Sequence, residues 1–292
     1  MATTATKARF ARFKNLEFVL GAVLTGGICF LVVFSDLDGT LLDHETYSFD
    51  AALPALARLK DLNIPLVLAS SKTAAEIAPL RAAMGFAHCP AIVENGAGVL
   101  PPETDADDVG TTHERLIDAL NALPADLRAC FAGFSDWDVS EIAARTGLDL
   151  ISAERARKRS FSEPGIWTGT EAQLEAFRNR LLQSGIGIQK GGRFHTLSFG
   201  GNKADRLGEI SLQFESEKRS RPFCLALGDA PNDIAMLEVA DCGVIIPNPD
   251  HPGIGRLAGE NNGRIKRAKF PGPVGWNDSV LSCIDDIQNN GT

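Results

Sequence analysis

The fold of this 292-residue chain is decided by the stretch Leu31-Val-Val-Phe-Ser-Asp36-Leu-Asp38-Gly-Thr40-Leu-Leu-Asp43. A short apolar run rich in β-branched residues leads into two carboxylates spaced two apart and a Gly-Thr turn, which predicts a strand that ends there. Because side chains alternate along a strand, Asp36 and Asp38 can point to the same side as the strand gives way to its loop. Open α/β sheets bind ligands at this carboxyl edge, so the stretch predicts an active site.

The pattern D-x-D-G-T after such a strand resembles the haloacid dehalogenase (HAD) superfamily, whose members mostly transfer phosphoryl groups. Two other interpretations explain the stretch less well. A solvated acidic turn would not need an apolar run before it, and a calcium loop would need more oxygen ligands and a closing Glu.

Composition indicates an ordinary globular protein, with 44% hydrophobic and 23% charged residues. The formal net charge of −8 argues against a nucleic-acid partner, which would need clustered Lys and Arg. An anionic substrate must then be attracted by local cations and a metal. The six cysteines form no C-x-x-C pair, which predicts buried, reduced thiols and a cytoplasmic location.

The N-terminal segment is basic over residues 1–15 and apolar over residues 18–34. If the first strand needs residues 31–35, the remaining apolar run falls short of the ~20 residues that span a bilayer. We therefore expect residues 1–30 to be an extension or a mis-assigned start rather than a membrane or organelle address, and a membrane partner is not expected.

A second strand is predicted within Ile64–Thr73, between a helix over 48–62 and a helix over 74–84 that Thr73 caps. The β-α-β-α order predicts an α/β fold with a doubly wound parallel sheet. Helix capping accounts for Thr73 but not for Ser70 and Lys72. In HAD phosphatases a Ser or Thr at this place holds a phosphate oxygen, and Ser70 matches it, while Lys72 would add positive charge beside the phosphate.

Residues 91–100 predict a hairpin around Asn95-Gly96. The hairpin needs no function, but Glu94 and Asn95 stand at the end of a strand, and similar enzymes have an E-N-G turn at the mouth of the site. A substrate contact and a plain turn are equally compatible with the pattern.

A linker rich in Pro and acidic residues follows at 101–108. Mixed helical and strand patterns between it and residue 198 predict an inserted α+β cap over 109–198. The catalytic core then comprises residues 31–108 and 199–292.

The cap carries a cationic run in which Arg157 and Arg159 precede Ser162 and Glu163. Arg155 and Lys158 are interpreted as solvated charges. The other four, together with Arg193, are candidate contacts for an anionic or sugar substrate, because Arg offers paired donors to carboxylate and phosphate. His195 fits a core or surface position better than a catalytic one.

Three segments resemble one HAD subfamily, the mannosyl-3-phosphoglycerate phosphatases. These segments are 157–164, 191–195 and 272–277. The resemblance extends over nearly all of residues 31–281 and implies a phosphorylated sugar-glycerate as the small-molecule partner. The oligomeric state stays open.

Two further motifs complete the predicted site. Lys203 begins a helix, where the helix dipole disfavours a cation unless compensating negative charge is near. The sequence Gly228-Asp229-Ala-Pro-Asn232-Asp233 follows another strand and matches the HAD metal motif G-D-x-x-N-D.

The resemblance implies a complete mechanism. Asp36 attacks phosphorus, and Asp38 acts as general acid and then as general base. Mg²⁺ is held by Asp36, Asp229 and Asp233 with the backbone carbonyl of Asp38. Ser70 and Lys203 hold the phosphoryl oxygens.

The expected substrate is 2-O-(α-mannosyl)-3-phosphoglycerate. Alternatives are a phosphatase for glucosyl-3-phosphoglycerate or sucrose phosphate, a phosphosugar mutase, and a catalytically silent binding module.

Overall fold

The computed structural model describes residues 30–106, 109–250 and 252–290, which form two β-sheets and the helices packed on them. The strands of the larger sheet are β1 (Phe30–Ser35), β2 (Leu66–Ala69), β3 (Ala91–Val93), β4 (Gly98–Leu100), β9 (Pro222–Gly228), β10 (Cys242–Ile245) and β11 (Ile265–Arg267). The strands of the smaller sheet are β5 (Phe131–Gly133), β6 (Ser162–Trp167), β7 (Gly187–Gly191) and β8 (Phe194–Ser198). The helices are α1 (Leu53–Asp61), α2 (Ala74–Ala83), α3 (His113–Asn121), α4 (Ala125–Arg128), α5 (Val139–Thr146), α6 (Leu150–Arg157), α7 (Glu171–Gln183), α8 (Lys203–Lys218), α9 (Ile234–Val239) and α10 (Val274–Asn290).

The larger sheet has the strand order β11-β10-β9-β1-β2-β3-β4. All neighbours pair in parallel except β3 and β4, which form an antiparallel hairpin with Ile92 opposite Val99. The predicted α/β class with a parallel-dominated central sheet is therefore confirmed, and so is the predicted hairpin.

Strand β1 lies at the centre of this sheet and is covered on both faces. Val33 packs in an apolar cluster with residues of α1, α2 and α10, whereas Val32 and Phe34 pack in a second cluster with residues of α8 and α9. Burial on both faces explains why the strand is a continuous apolar run rather than an alternating one. The same burial places the end of the strand, and Asp36 after it, in the middle of the sheet edge.

The smaller sheet lies between β4 and β9 in the chain and is antiparallel, with the order β5-β6-β8-β7. Apolar side chains of α3 and α7 cover one face, and those of α5 and α6 contribute to a separate cluster around Phe134 and Trp137. This arrangement is an α+β layer of its own, with its own apolar cores.

Local predictions were confirmed where a specific contact defines an element. Thr73 caps α2, since its side chain accepts from the Glu76 amide and the Glu76 carboxylate accepts from the Thr73 amide at 2.8 Å. Helix α1 begins at Leu53, later than expected, because residues 50–52 form a 3₁₀ turn.

Helix α6 was not predicted, because its charged sequence shows little helical period. It buries only small side chains, Ala153 and Ala156, so no large apolar residue marks its inner face. Its start is defined by Asp149, whose carboxylate accepts from the amides of Ile151 and Ser152.

The predicted N-terminal extension lies outside the described residues up to Phe30. In the three described ranges no helix combines the length and the apolar run that crossing a bilayer requires. The cysteines of those ranges carry free thiols.

Candidate active site

Three neighbouring strand ends build the site. Strand β1 lies between β9 and β2, with Ser35 opposite Leu227 on one side and Leu68 on the other. Parallel strands end at the same edge of a sheet, so the residues that follow them, Asp36, Asp229 and Ser70, stand side by side there.

Three buried carboxylates meet at this edge. One oxygen from each of Asp36, Asp229 and Asp233 lies within 4.8 Å of the other two. Lys203, at the start of α8, reaches into the group and lies 2.6 Å from Asp36 Oδ1 and 2.6 Å from Asp233 Oδ1. The Lys203 side chain is only 1% exposed, so the helix-start lysine does have the compensating charge that its position requires.

The electrostatics of this group disfavour a further negative charge. Burial, followed by the charge of Asp233, raises the pKa of Asp36 well above its ordinary value, although the Lys203 ammonium acts in the opposite direction. Burial alone would lower the pKa of Lys203, but the carboxylates of Asp233 and Asp36 outweigh it and raise that pKa. The lysine therefore stays charged, and the three carboxylates are only partly compensated.

Asp229 is held in place by two side chains that the sequence analysis did not assign. Thr40 Oγ1 donates to its Oδ1 at 2.8 Å, and Asn248 Nδ2 donates to its Oδ2 at 2.7 Å. Thr40 was within the quoted motif, but Asn248 follows the short strand β10, which was not predicted. Gly39 has a positive φ of 75°, and a Cβ there would collide with the Asn248 amide, so the motif glycine makes room for this contact.

Asp233 is positioned by the turn after β9. Its Oδ2 accepts from the amides of Asp229 and Ala230 at 3.2 and 3.1 Å, which leaves Oδ1 to Lys203. A Cβ on Gly228 would lie 2.5 Å from the Asp233 side chain. The glycine of the G-D-x-x-N-D sequence is thus required for the carboxylate to fold back.

Asp38 lies outside the carboxylate group, at the more open side of the site. Its Oδ2 forms an ion pair with Lys72 Nζ at 3.0 Å, and its side chain is 36% exposed. Its Oδ1 is buried and has no hydrogen-bond partner among the described residues. Its predicted metal contact, through the backbone carbonyl, stays a prediction.

Ser70 and Lys72 are placed differently from one another. Ser70 is 1% exposed at the end of β2, and its Oγ accepts from the Lys72 amide at 3.2 Å. Lys72 was expected beside the phosphate, but its ammonium is paired with Asp38. The charge of Asp38 helps raise the pKa of Lys72 against the effect of burial.

Four of the candidate substrate contacts are buried and engaged within the protein. Glu94 accepts from the Ser160 amide and the Ser162 hydroxyl, both at 2.7 Å, and pairs with Arg159 at 3.3 Å. Arg159 also donates to Ser162. These three residues therefore join the end of β3 to the start of β6, and their substrate role stays a prediction without support from this geometry.

Glu163 is the fourth. It is fully buried and accepts from the amide and hydroxyl of Ser135, and its other oxygen lies 2.7 Å from His113 Nε2. It supports the interior of the smaller sheet.

The remaining candidates lie nearer the surface. Asn95 bridges the two layers, since it donates to Gln189 and accepts from Asn232. Arg157 and Arg193 are exposed on the smaller layer. The substrate role of all three stays a prediction.

The donor set fits a hard divalent cation. Three carboxylate oxygens converge, and Mg²⁺ prefers oxygen ligands. A cation there would also reverse the raised pKa of Asp36, because a bound metal is the largest local charge in such a site.

The comparisons with known proteins agree with this geometry. A family model described as haloacid dehalogenase-like hydrolase matches residues 33–130. A HAD-superfamily phosphatase from Bacteroides thetaiotaomicron is similar, with a TM-score of 0.61, 20% identity, and coverage of 92% of this chain and 98% of that one. A sucrose-phosphatase from Synechocystis, solved with sucrose and phosphate, has a TM-score of 0.52, 17% identity, and coverage of 88% and 98%. A haloacid dehalogenase-like hydrolase from Bacteroides thetaiotaomicron has a TM-score of 0.58, 18% identity, and coverage of 88% and 99%.

These identities are low, and they show a shared fold. The family match covers residues 33–130, and the fold that this chain shares with these structures is that of haloacid dehalogenase-like hydrolases.

Proposed function

We propose that this protein is a Mg²⁺-dependent phosphatase that hydrolyses 2-O-(α-mannosyl)-3-phosphoglycerate to mannosylglycerate and phosphate. The observation that supports it most is the meeting of Asp36, Asp229, Asp233 and Lys203 at one sheet edge, with Asp38 two residues from Asp36. A site for binding alone would need no such pair of carboxylates at the end of one strand.

The reaction proceeds in two displacements. A carboxylate oxygen of Asp36 attacks phosphorus, the bond from phosphorus to the ester oxygen breaks, and protonated Asp38 gives its proton to the departing oxygen. A water molecule then attacks the phosphoaspartyl phosphorus, Asp38 takes the proton of that water, and the bond to Asp36 breaks to release phosphate. The partial exposure of Asp38 suits it to meet both the leaving group and water.

The protein groups around Asp36 manage the charge of this reaction. Lys203 lies against the attacking carboxylate, and Ser70 stands at the neighbouring strand end, so both are suited to contact phosphoryl oxygens. Asp36, Asp229 and Asp233 would hold Mg²⁺, which when bound supplies positive charge to offset the repulsion between a carboxylate and a dianionic ester.

The substrate assignment rests on the three segments that resemble the mannosyl-3-phosphoglycerate phosphatases. It also rests on a division of the chain into a catalytic core and a cap over 109–198, and this division is part of the proposal. The sucrose-phosphatase among the structural neighbours makes sucrose phosphate a sensible competitor to test. Glucosyl-3-phosphoglycerate is the other.

The test is a panel of phosphate esters, scored by released phosphate, with Mg²⁺ and with EDTA. We expect the mannosyl ester to have the highest kcat/KM, and we expect EDTA to abolish its hydrolysis and fresh Mg²⁺ to restore it. If another sugar phosphate had the highest kcat/KM, the proposed substrate would be wrong and the proposed phosphatase reaction would stand. Absence of phosphate release from every ester, including a generic chromogenic one, would refute the phosphatase.

A further inference from the structure

The loop between β1 and α1 holds an aromatic residue in an unusual conformation. Tyr47 is the single tyrosine of the chain, and its φ is 56°. A bulky side chain rarely adopts this left-handed region, because Cβ approaches the following carbonyl oxygen. Tyr47 is also 52% exposed to solvent. The backbone thus holds a large ring toward solvent in a strained conformation, and such outliers are concentrated at ligand sites.

Specific hydrogen bonds fix the loop in this form. The Asp43 amide donates to the Ser48 carbonyl at 2.9 Å, and the Tyr47 amide donates to the Asp43 carbonyl at 3.0 Å. Asp43 Oδ1 also accepts from the amide and the hydroxyl of Thr46 at 2.8 and 2.7 Å. Because the turn is closed from both ends, the position of the ring is built into the loop.

The ring lies next to the reacting groups. Lys72 Nζ is 5.2 Å from the centre of the Tyr47 ring and 3.0 Å from Asp38 Oδ2. A single ammonium group therefore separates the aromatic ring from the carboxylate that protonates the leaving group. The ammonium lies over the ring, and the exposed remainder of Tyr47 is open to a ligand.

We propose that Tyr47 is a specificity-determining residue whose ring packs against the sugar of the leaving group. The leaving oxygen must be next to Asp38, and the ammonium that pairs with Asp38 lies over the Tyr47 ring, so a group attached to that oxygen can reach the ring. The C–H face of a pyranose is apolar and flat enough to cover an aromatic ring. This inference rests on the proposed function and deepens it, since it selects phosphate esters whose alcohol carries a sugar ring.

A matched pair of substrates tests the role of the ring. Mannosyl-3-phosphoglycerate and 3-phosphoglycerate share the same phosphate ester and differ by the sugar alone. For Tyr47→Ala we expect kcat/KM to fall about tenfold more for the mannosyl ester than for 3-phosphoglycerate, chiefly through KM, since tenfold in binding corresponds to 1.4 kcal/mol. Tyr47→Phe keeps the ring face and should stay within about twofold of wild type on the mannosyl ester, a difference well under 1.4 kcal/mol.

The control is Leu212→Ala, which removes an apolar side chain that is 66% exposed on α8 and should leave both rates unchanged. Thermal denaturation verifies that each variant is folded. An equal loss on both substrates in Tyr47→Ala would mean that the ring only supports Lys72, and no loss on either would mean that it touches nothing; both results overturn the inference. If wild type hydrolyses neither ester, the proposed function itself fails first.

Discussion

Asp36 is the residue at which the demands of reactivity and stability conflict. Its carboxylate is buried beside Asp233 and Asp229, and burial followed by the charge of Asp233 raises its pKa in the folded protein. In the unfolded chain the same group ionises at its ordinary pKa. Between that pKa and the raised folded pKa the unfolded chain releases the proton more readily than the folded protein does, so stability falls as pH rises toward the folded pKa.

The Asp36→Asn variant should consequently lose all phosphatase turnover and gain stability at pH 7 in EDTA. We expect its Tm to exceed that of wild type by ~2–4 °C for each kcal/mol of relief. The difference should vanish below the ordinary carboxyl pKa and grow as pH rises through the interval up to the folded pKa. Thermal denaturation over a pH series measures it.

Asp285→Asn is the control, because Asp285 is an exposed carboxylate on α10. It should change neither Tm nor activity. Measurable turnover in Asp36→Asn would exclude Asp36 as the nucleophile, and a lower Tm at pH 7 would show that its ion pair with Lys203 outweighs its burial.

At this scale, sequence reasoning located the residues that follow a strand or begin a helix. This group includes Asp36, Asp229, Asp233 and Lys203. A side chain that directly follows a parallel strand lies at the edge of the sheet, so local sequence is enough to place Asp36 and Asp229 there. Lys203 was recognised because a cation at a helix start needs nearby negative charge. Asn248 was missed because the strand before it, β10, was not predicted, and its contact with Asp229 joins positions 19 apart in sequence. The internal use of Glu94 also escaped, since its partners are more than 60 positions away in sequence.

Between elements, the end of β3 and the start of β6 are joined through one buried carboxylate. Glu94, with a φ of 51°, accepts from the backbone and hydroxyl groups of 160–162 and pairs with Arg159. Close beside it, a Cβ on Gly98 would collide with the Phe161 ring. Both contacts hold the smaller layer against the larger one at the side of the site.

The Glu94→Gln variant should therefore weaken the joint between the layers. A glutamine amide would face backbone donors and leave Arg159 without its charge partner, and breaking a buried pair in this way lowers the free energy of unfolding by about 3–5 kcal/mol. Urea denaturation measures that loss. We also expect a higher KM, since the smaller layer would be held less firmly beside the site.

Glu209→Gln provides the comparison, because its pair with Arg206 is at the surface, with the Glu209 side chain 54% exposed. Such a pair contributes at most about 1 kcal/mol. If both variants lose the same stability, the joint at Glu94 is no stronger than a surface ion pair.

The sequence predicted some helices and strands and missed others. Strands β1, β2, β3 and β9 and the capped helix α2 were predicted because burial on both faces and a capping box leave clear signals, whereas β10 and β11 were not predicted. Helix α6 was missed because small and charged residues hide its period. The contact of its Arg155 carbonyl with the Thr73 hydroxyl at 2.9 Å depends on tertiary structure alone.

Across the whole molecule, the last described helix returns to the first strand. Trp276 on α10 is fully buried, and its Nε1 donates to Ser35 Oγ at 2.8 Å, across 241 positions of sequence. Ser35 Oγ in turn donates to the Asp36 carbonyl at 2.7 Å. The C-terminal helix thereby supports the backbone of the residue that we propose as nucleophile.

Trp276→Phe keeps an aromatic ring and removes the donor. We expect the free energy of unfolding to fall by about 1–3 kcal/mol, because the buried Ser35 hydroxyl loses the donor from which it accepts and keeps only its bond to the Asp36 carbonyl. We also expect kcat to fall while KM changes little, since the backbone of Asp36 loses a support and the mouth of the site does not.

Trp167→Phe is the matched control on the smaller layer, where Nε1 donates to the Thr170 carbonyl at 3.4 Å. It should leave kcat unchanged. If the two substitutions changed kcat equally, the hydrogen bond from Trp276 on α10 would have no specific role in catalysis.

The position of Lys203 between Asp36 and Asp233 has a consequence for handling the protein. In many small metalloproteins chelation unfolds the chain, because the free energy of metal binding supplies the free energy of folding. Here the chain carries a built-in ammonium at that place. The protein should thus stay folded after the ion is chelated. When the ion is added again, activity should return by binding alone, without refolding.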